Sequence, residues 1–275
     1  MSGEFSVTFW GVRGSIACPG VDYERYGGNT SCLEVRCGPH VLVFDGGTGL
    51  RPLGEKLKAE GKLEIDLFLT HSHLDHIVGI PFFKPLYDKA NHIRFWAGHL
   101  LPDQRLRDAI CAMMVPPLFP VPIEIFPSRT IFNDFSAGET LRLHPGLVLK
   151  TAPLNHPNGA TGYRIEYGGK SICYVTDTEH TGHGIDENIL ALIAGTDFFI
   201  YDSMYTEEEY PRYAGWGHST WAQGLKLAEA AGLKTFVAFH HDPSHKDAFM
   251  DRQAEALAKA RPGSLVAREG MTLTP

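Results

Sequence analysis

Residues 70–76 read THSHLDH and follow directly on the apolar run Ile65-Asp66-Leu67-Phe68-Leu69. Three histidines and an aspartate crowded at the end of a buried strand need partners, because a core does not accept unpaired polar groups. Neutral imidazoles with a carboxylate suit Zn²⁺ or Mn²⁺, with Fe²⁺ also compatible, and a hard oxygen-only site is excluded. His71 and His73 stand two apart with Asp75 and His76 close behind, so one tight loop can aim all four inward. Four ligands from one loop do not easily surround a single ion. Two to each of two neighbouring ions is feasible, and completion then needs about one further ligand per ion plus a bridge.

Working outward, the same design recurs. Val41–Phe44 stops at Asp45, Val148–Ala152 leads through Pro153-Leu154-Asn155 to His156, and Ile172–Thr176 stops at Asp177. Phe198–Tyr201 stops at Asp202, and Thr235–Phe239 stops at His240 and His241. These runs are rich in β-branched and aromatic residues and bounded by turn formers, which predicts strands. In sheets with helices packed outside, strand ends converge on one rim, so groups far apart in sequence can share a site. His156, Asp177 and His240 are the candidates to complete the two ion sites. Asp177 is the natural bridge, since a carboxylate spans two cations and an imidazole does not.

Helices fit between the strands: Leu50–Glu60 with Leu50, Leu53 and Leu57 on one face, a helix capped by Ser219-Thr220, and a last one over Gln253–Ala260. The stretch 81–135, with a helix near Gln104–Met114 and a proline-rich run after it, reads as an insertion and candidate lid, or else as a structural connector. No repeat or low-complexity linker interrupts the 275 residues, so a single domain over 1–275 is expected. The net charge of −7 argues against bulk electrostatic binding to nucleic acid or anionic membrane. No membrane span and no signal peptide are read, and five scattered cysteines without a CxxC pair fit a reduced, cytoplasmic protein. The sequence is compatible with a homodimer.

THSHLDH matches the HxHxDH signature of the metallo-β-lactamase-fold hydrolases, and the resemblance extends to Asp45 in FDGGTG, His156 in LNHP, Asp177 in YVTDT and His240 in AFHHDP. It spans Phe9 to about Asp247. It implies an α/β fold, the four-layer αββα sandwich, with a dinuclear site at one edge. It assigns His71, His73 and His156 to one metal and Asp75, His76 and His240 to the other, with Asp177 bridging. Asp45 would orient a ligand imidazole, and Asp202 is a second candidate for that role.

GHST at 217–220 resembles the C-terminal part of the tRNA 3′-end endonucleases and the phosphonate-pathway phosphodiesterases. There the corresponding histidine is a general-acid candidate, so His218 would protonate the leaving oxygen while a metal-activated water attacks phosphorus; Asp75 and Asp177 complete the catalytic set. The expected activity is that of a phosphodiesterase on a small phosphate ester or cyclic nucleotide. The alternatives are a lactone, thioester or β-lactam hydrolase with the same metals, or a non-catalytic metal-dependent sensor. The negative charge, the AFHHDPSH ending and the lack of a long basic arm make tRNA an unlikely partner on this reading. Arg13, in a glycine-rich turn after the first strand, is a candidate to hold a phosphate oxygen, with a purely structural role as its alternative. His180 and His183 either line the pocket or belong to a polar surface loop.

Overall fold

The computed structural model describes residues 5–180, 182 and 184–275. The first half of the chain builds β1 (Phe5–Gly11), β2 (Cys32–Cys37), β3 (His40–Phe44), β4 (Glu64–Leu69), β5 (His92–Ala97) and β6 (Arg129–Asp134). The second half builds β7 (Thr140–His144), β8 (Leu147–Leu154), β9 (Ala160–Tyr167), β10 (Lys170–Val175), β11 (Phe198–Asp202), β12 (Thr235–Phe239) and β13 (Leu265–Val266). A last strand, β14 (Thr272–Leu273), returns to pair with β1. Among the described residues these form two seven-stranded sheets, ordered β14-β1-β2-β3-β4-β5-β6 and β13-β12-β11-β10-β9-β8-β7.

The helices are α1 (Leu50–Lys58), α2 (Leu74–Ile77), α3 (Leu106–Met113), α4 (Glu187–Ile193), α5 (Trp221–Ala230) and α6 (Asp247–Ala260). The period-two direction of strand side chains divides the apolar runs between layers. On β4, Ile65, Leu67 and Leu69 face the helical layer with Leu53 and Leu57 of α1, while Phe68 faces inward with Phe44, Tyr163 and Phe239. On β12, Phe236 and Ala238 face outward with Leu227 of α5 and Met250 of α6, while Val237 and Phe239 face inward. Both faces of these strands are buried, which is why they read as unbroken apolar runs rather than alternations. The result is the four-layer αββα sandwich.

The strands β3-β4-β5-β6 run parallel, as do β10-β11-β12-β13. Their carboxyl ends reach the same rim of the molecule. Three residues just past strand ends there, Asp45 (φ 62°), Asp177 (φ 57°) and His240 (φ 63°), adopt the left-handed conformation. Such a backbone costs on the order of 1–3 kcal/mol per residue. It turns the chain sharply at the rim.

The stretch 81–135 is not an insertion laid over the fold. It supplies β5 and β6, and β5 is paired on both sides, to β4 and β6. The half-buried alternation of His92-Ile93-Arg94-Phe95-Trp96-Ala97 is a strand signal, overshadowed in the sequence by the prolines around it. All five cysteines are free thiols.

Candidate metal centre

The loop after β4 brings His71 and His73 forward, and α2 carries Asp75 and His76 in its first turn. From the other sheet come His156 after β8, Asp177 after β10 and His240 after β12. Donor atoms of His71, His73 and His156 lie within 4.8 Å of one another, and so do those of Asp75, His76 and His240. Asp177 stands between the two groups. Its Oδ1 is 3.7 Å from His71 Nε2 and 3.8 Å from His156 Nε2; its Oδ2 is 3.2 Å from His76 Nε2 and 3.3 Å from His240 Nε2.

Outer hydrogen bonds fix which nitrogen of each ring faces inward. Asp45 is fully buried and accepts from Thr70 N–H (2.8 Å), the Thr70 hydroxyl (3.0 Å) and Tyr174 O–H (2.8 Å). Its Oδ2 lies at ion-pair distance, 3.0 Å, from His76 Nδ1, which also lies 3.4 Å from Thr70 Oγ1. Because the Thr70 hydroxyl donates to Asp45, Thr70 Oγ1 accepts from His71 Nδ1 at 3.1 Å. His156 Nδ1 donates to Gly217 O at 2.8 Å. The Nε2 lone pairs of His71 and His156 therefore point into the cluster, and His76 Nε2 faces Asp177 Oδ2, the outer-partner pattern typical of metal-bound imidazoles. Asp75 accepts from Ser15 N–H at 2.8 Å and keeps Oδ2 within 3.3 Å of His76 Nε2.

Burial, reinforced by His76 beside it, holds His71 well below the usual histidine range, so its lone pair is free. Burial alone would raise Asp177, but His240, His76 and His71 outweigh it and hold the carboxyl well below its ordinary value. His71 Nε2 is buried without a hydrogen-bond partner. An orphaned imidazole nitrogen facing a carboxylate, within a nitrogen-and-oxygen donor set of this density, fits divalent metal ions of the borderline-soft kind.

His218 stands beside this cluster, its ring stacked on His240 at 5.1 Å. Its Nδ1 donates to Asp202 Oδ2 at 2.9 Å. Burial works against its charged form, but Asp202 and the further carboxylates Asp177 and Asp75 outweigh burial and hold it up to about 9. Asp202 also accepts from the backbone N–H groups of Asp177, Met204 and Ser219. Its close partner is thus His218 rather than a ring of the ligand cluster; His240 Nδ1 is 3.8 Å away. Of the adjacent pair, His240 turns inward, while His241 donates Nε2–H to Ala267 O at 2.8 Å and is pushed down to about 3, chiefly by burial.

Arg13 faces backbone carbonyls rather than the cavity beside His71 and His73. It is fully buried, with Nε donating to Gly27 O (2.8 Å), Nη1 to His245 O (2.7 Å) and Asp242 O (3.3 Å), and Nη2 buried without a partner. The glycine-rich turn serves the site through its backbone instead. Ser15 N–H holds Asp75, and a Cβ on Gly14 would stand 2.5 Å from the His240 ring. His180 is tied to Ser219 Oγ at 2.8 Å and stacked on Tyr210 at 4.2 Å, away from the cavity described next. His183 lies outside the described residues.

A cavity of about 440 Å³ opens onto His71 and His73 and is lined also by His99, Asp103, Gln104 and Asn158. The sequence reading passed over His99, although it follows the apolar tip Phe95-Trp96-Ala97 in the same strand-end manner as the residues it did single out. Its Nε2 lies 3.2 Å from Ser72 Oγ, and burial pushes the ring down to about 4, hence neutral.

A buried imidazole–carboxylate cluster at the rim of an αββα sandwich defines a class: the metal-dependent hydrolases of the metallo-β-lactamase fold. The chain belongs to the β-lactamase superfamily domain family, which matches residues 40–241. It is 24% identical over 319 residues to a ribonuclease Z of Haloarcula marismortui, covering 96% of this chain and 95% of that one. In fold it is similar to the metallo-beta-lactamase fold protein YhfI from Bacillus subtilis (TM-score 0.73, 17% identity, 99% and 100% of the two chains). It is also similar to human tRNase Z, short form (TM-score 0.66, 18% identity, 98% of each chain).

These relatives overturn the expectation that tRNA is an unlikely partner. The physical weakness of that expectation was its use of whole-chain charge. Whole-chain charge does not describe a local surface: among the described residues Glu34, Asp45, Asp66, Asp75, Asp177, Asp202 and Asp247 are buried, and Asp75 and Asp177 lie in the cluster whose charge bound cations would offset. Among the described residues no helix is long and apolar enough to cross a membrane.

Proposed function

We propose that this protein is a phosphodiesterase working with two divalent cations, Zn²⁺ or Mn²⁺, with Fe²⁺ also compatible. The observation that carries the reading is the division of Asp177, one oxygen toward each triad, with the His218–Asp202 pair alongside. His71, His73 and His156 would hold one cation, Asp75, His76 and His240 the other, and Asp177 would span both. When bound, such a pair lowers the pKa of a shared water to about 7 and neutralises phosphoryl oxygens.

The chain's own groups supply the remainder. His218, charged through its hold on Asp202, gives its Nε2 proton to the departing oxygen. Asp202 keeps the ring oriented and is itself held in place by three backbone N–H groups. Substrate approaches through the cavity beside His71 and His73. Small phosphodiesters such as cyclic nucleotides, and tRNA, are the substrates to set side by side.

Hydrolysis of bis(p-nitrophenyl) phosphate by protein loaded with Zn²⁺ or Mn²⁺ tests the reading. Turnover that a chelator abolishes and the metal restores is expected. Two bound metals per chain without phosphodiester turnover, but with lactone or thioester hydrolysis, would overturn it.

A further inference from the structure

Exposed apolar side chains scattered singly over a surface carry little meaning. Trp216, 63% exposed, differs because of how its loop is held. Glu179, two residues past Asp177, binds both flanks of Trp216: its Oε1 accepts from Gly215 N–H at 2.7 Å and its Oε2 from Gly217 N–H at 2.9 Å. Trp216 N–H itself closes a turn onto Tyr213 O at 3.1 Å. Gly217 lies in the left-handed region (φ 86°), and a Cβ there would stand 2.3 Å from His156 Nδ1. The loop is thus seated directly against a residue of the metal centre. An exposed indole rarely has so fixed a base.

A column of rings joins Trp216 to the proton donor. Its ring meets Tyr213 edge-on at 5.4 Å, Tyr213 stacks on Tyr205 at 4.6 Å, and Tyr205 meets His218 edge-on at 6.1 Å. Tyr205 is buried, so the column is anchored at its inner end. Only Gly217 separates Trp216 from His218, which keeps their Cα atoms within about 7 Å of each other. The indole is thereby carried at the edge of the site that would hold the phosphodiester, on a loop packed against His156. Glu179 is occupied by backbone donors, so the loop presents an aromatic face without a free charge of its own.

We propose that Trp216 is a stacking platform for a purine or pyrimidine base, and hence that the phosphodiester cleaved belongs to a nucleotide. The proposal rests on the phosphodiesterase reading and deepens it. Base–aromatic stacking tolerates any base, because each has a π-face. The platform therefore selects nucleotides as a class rather than one sequence.

Two esters with the same leaving group test it: thymidine 5′-(p-nitrophenyl phosphate) and methyl p-nitrophenyl phosphate, on metal-loaded protein. Trp216→Ala is expected to raise KM for the thymidine ester about tenfold and for the methyl ester by less than about twofold, with Trp216→Tyr restoring the difference. A KM that moves equally for both esters, or for neither, overturns the platform. Independently of turnover, adenosine 5′-monophosphate should quench tryptophan fluorescence where methyl phosphate does not, and Trp216→Tyr should remove that quench. Equal quenching in the wild type and Trp216→Tyr also sinks the proposal. Should neither ester turn over, the functional reading falls by itself, and the fluorescence arm still decides the platform.

Discussion

Two carboxylates are buried between the sheets, and their surroundings are opposite in kind. Asp66, near the amino end of β4, receives Arg94 Nε at 2.6 Å, Arg94 Nη2 at 2.7 Å and Trp96 Nε1 at 2.9 Å. Its demand for donors is closed by a rigid fork and an indole, with His144 at 3.4 Å as a further partner. Asp177 accepts from the Thr176 hydroxyl at 2.8 Å and faces five imidazole nitrogens at 3.2 to 3.8 Å, of which His71 Nε2 has no hydrogen-bond partner. A closed polar network holds a fold together, whereas one that leaves lone pairs converging is built for something that arrives later.

The widest separation between the two sites is expected from their deletion. Asp177→Ala should lower metal-dependent phosphodiester turnover by about 10³-fold and reduce bound metal measured by elemental analysis. Asp66→Asn should leave metal content and KM unchanged but destabilise by about 2–3 kcal/mol, read as the shift in a denaturant midpoint, because Arg94 keeps its charge and loses its partner. If Asp66→Asn lowered metal content as much as Asp177→Ala, the distinction between closed and open networks would collapse.

A second contrast concerns the leaving group. Loss of the His218 side chain should cost about 10²-fold or more in kcat for an alkyl phosphodiester, whose oxyanion needs a proton. For a p-nitrophenyl ester, whose leaving group departs unaided, the loss should be far smaller. Equal losses on both esters would assign His218 to positioning rather than to proton donation.

The smallest expected effect is in acid. Burial opposes the Asp66 charge, but Arg94, Trp96 and His144 outweigh it and keep the folded carboxyl below its ordinary value. The unfolded chain then takes up its proton first as pH drops. The stability Asp66 contributes is fully present above the ordinary carboxylate value and is lost as pH falls through the depressed folded value. Thermal melts from neutral pH downward should show a shallower acid limb in Asp66→Asn than in the wild type; superimposable limbs would remove Asp66 from the acid transition.

Much of this architecture could be read before any coordinates. Unbroken apolar runs ending in one polar residue are what a doubly covered parallel sheet and a rim site require, so the strands carrying Asp45, His71, Asp177 and His240 were legible. The partners of Arg13 were not, because the carbonyls it meets belong to Gly27, Asp242 and His245, residues whose proximity depends on the finished fold. The same holds for Asp202, whose choice of His218 depends on how β11 and the stretch after it are set. His99 and β5 were missed for a different reason. Their signal was local and present, but it sat inside a proline-rich stretch that looked like an insertion.

The left-handed conformations at Asp45, Asp177 and His240 have a consequence for anyone improving this protein. Glycine at those positions relieves the backbone. A directed-evolution screen that ranks variants only by heat resistance would therefore be drawn to them. On the proposed function, its winners would lose turnover. Selection for robustness in this family member has to score turnover in the same round.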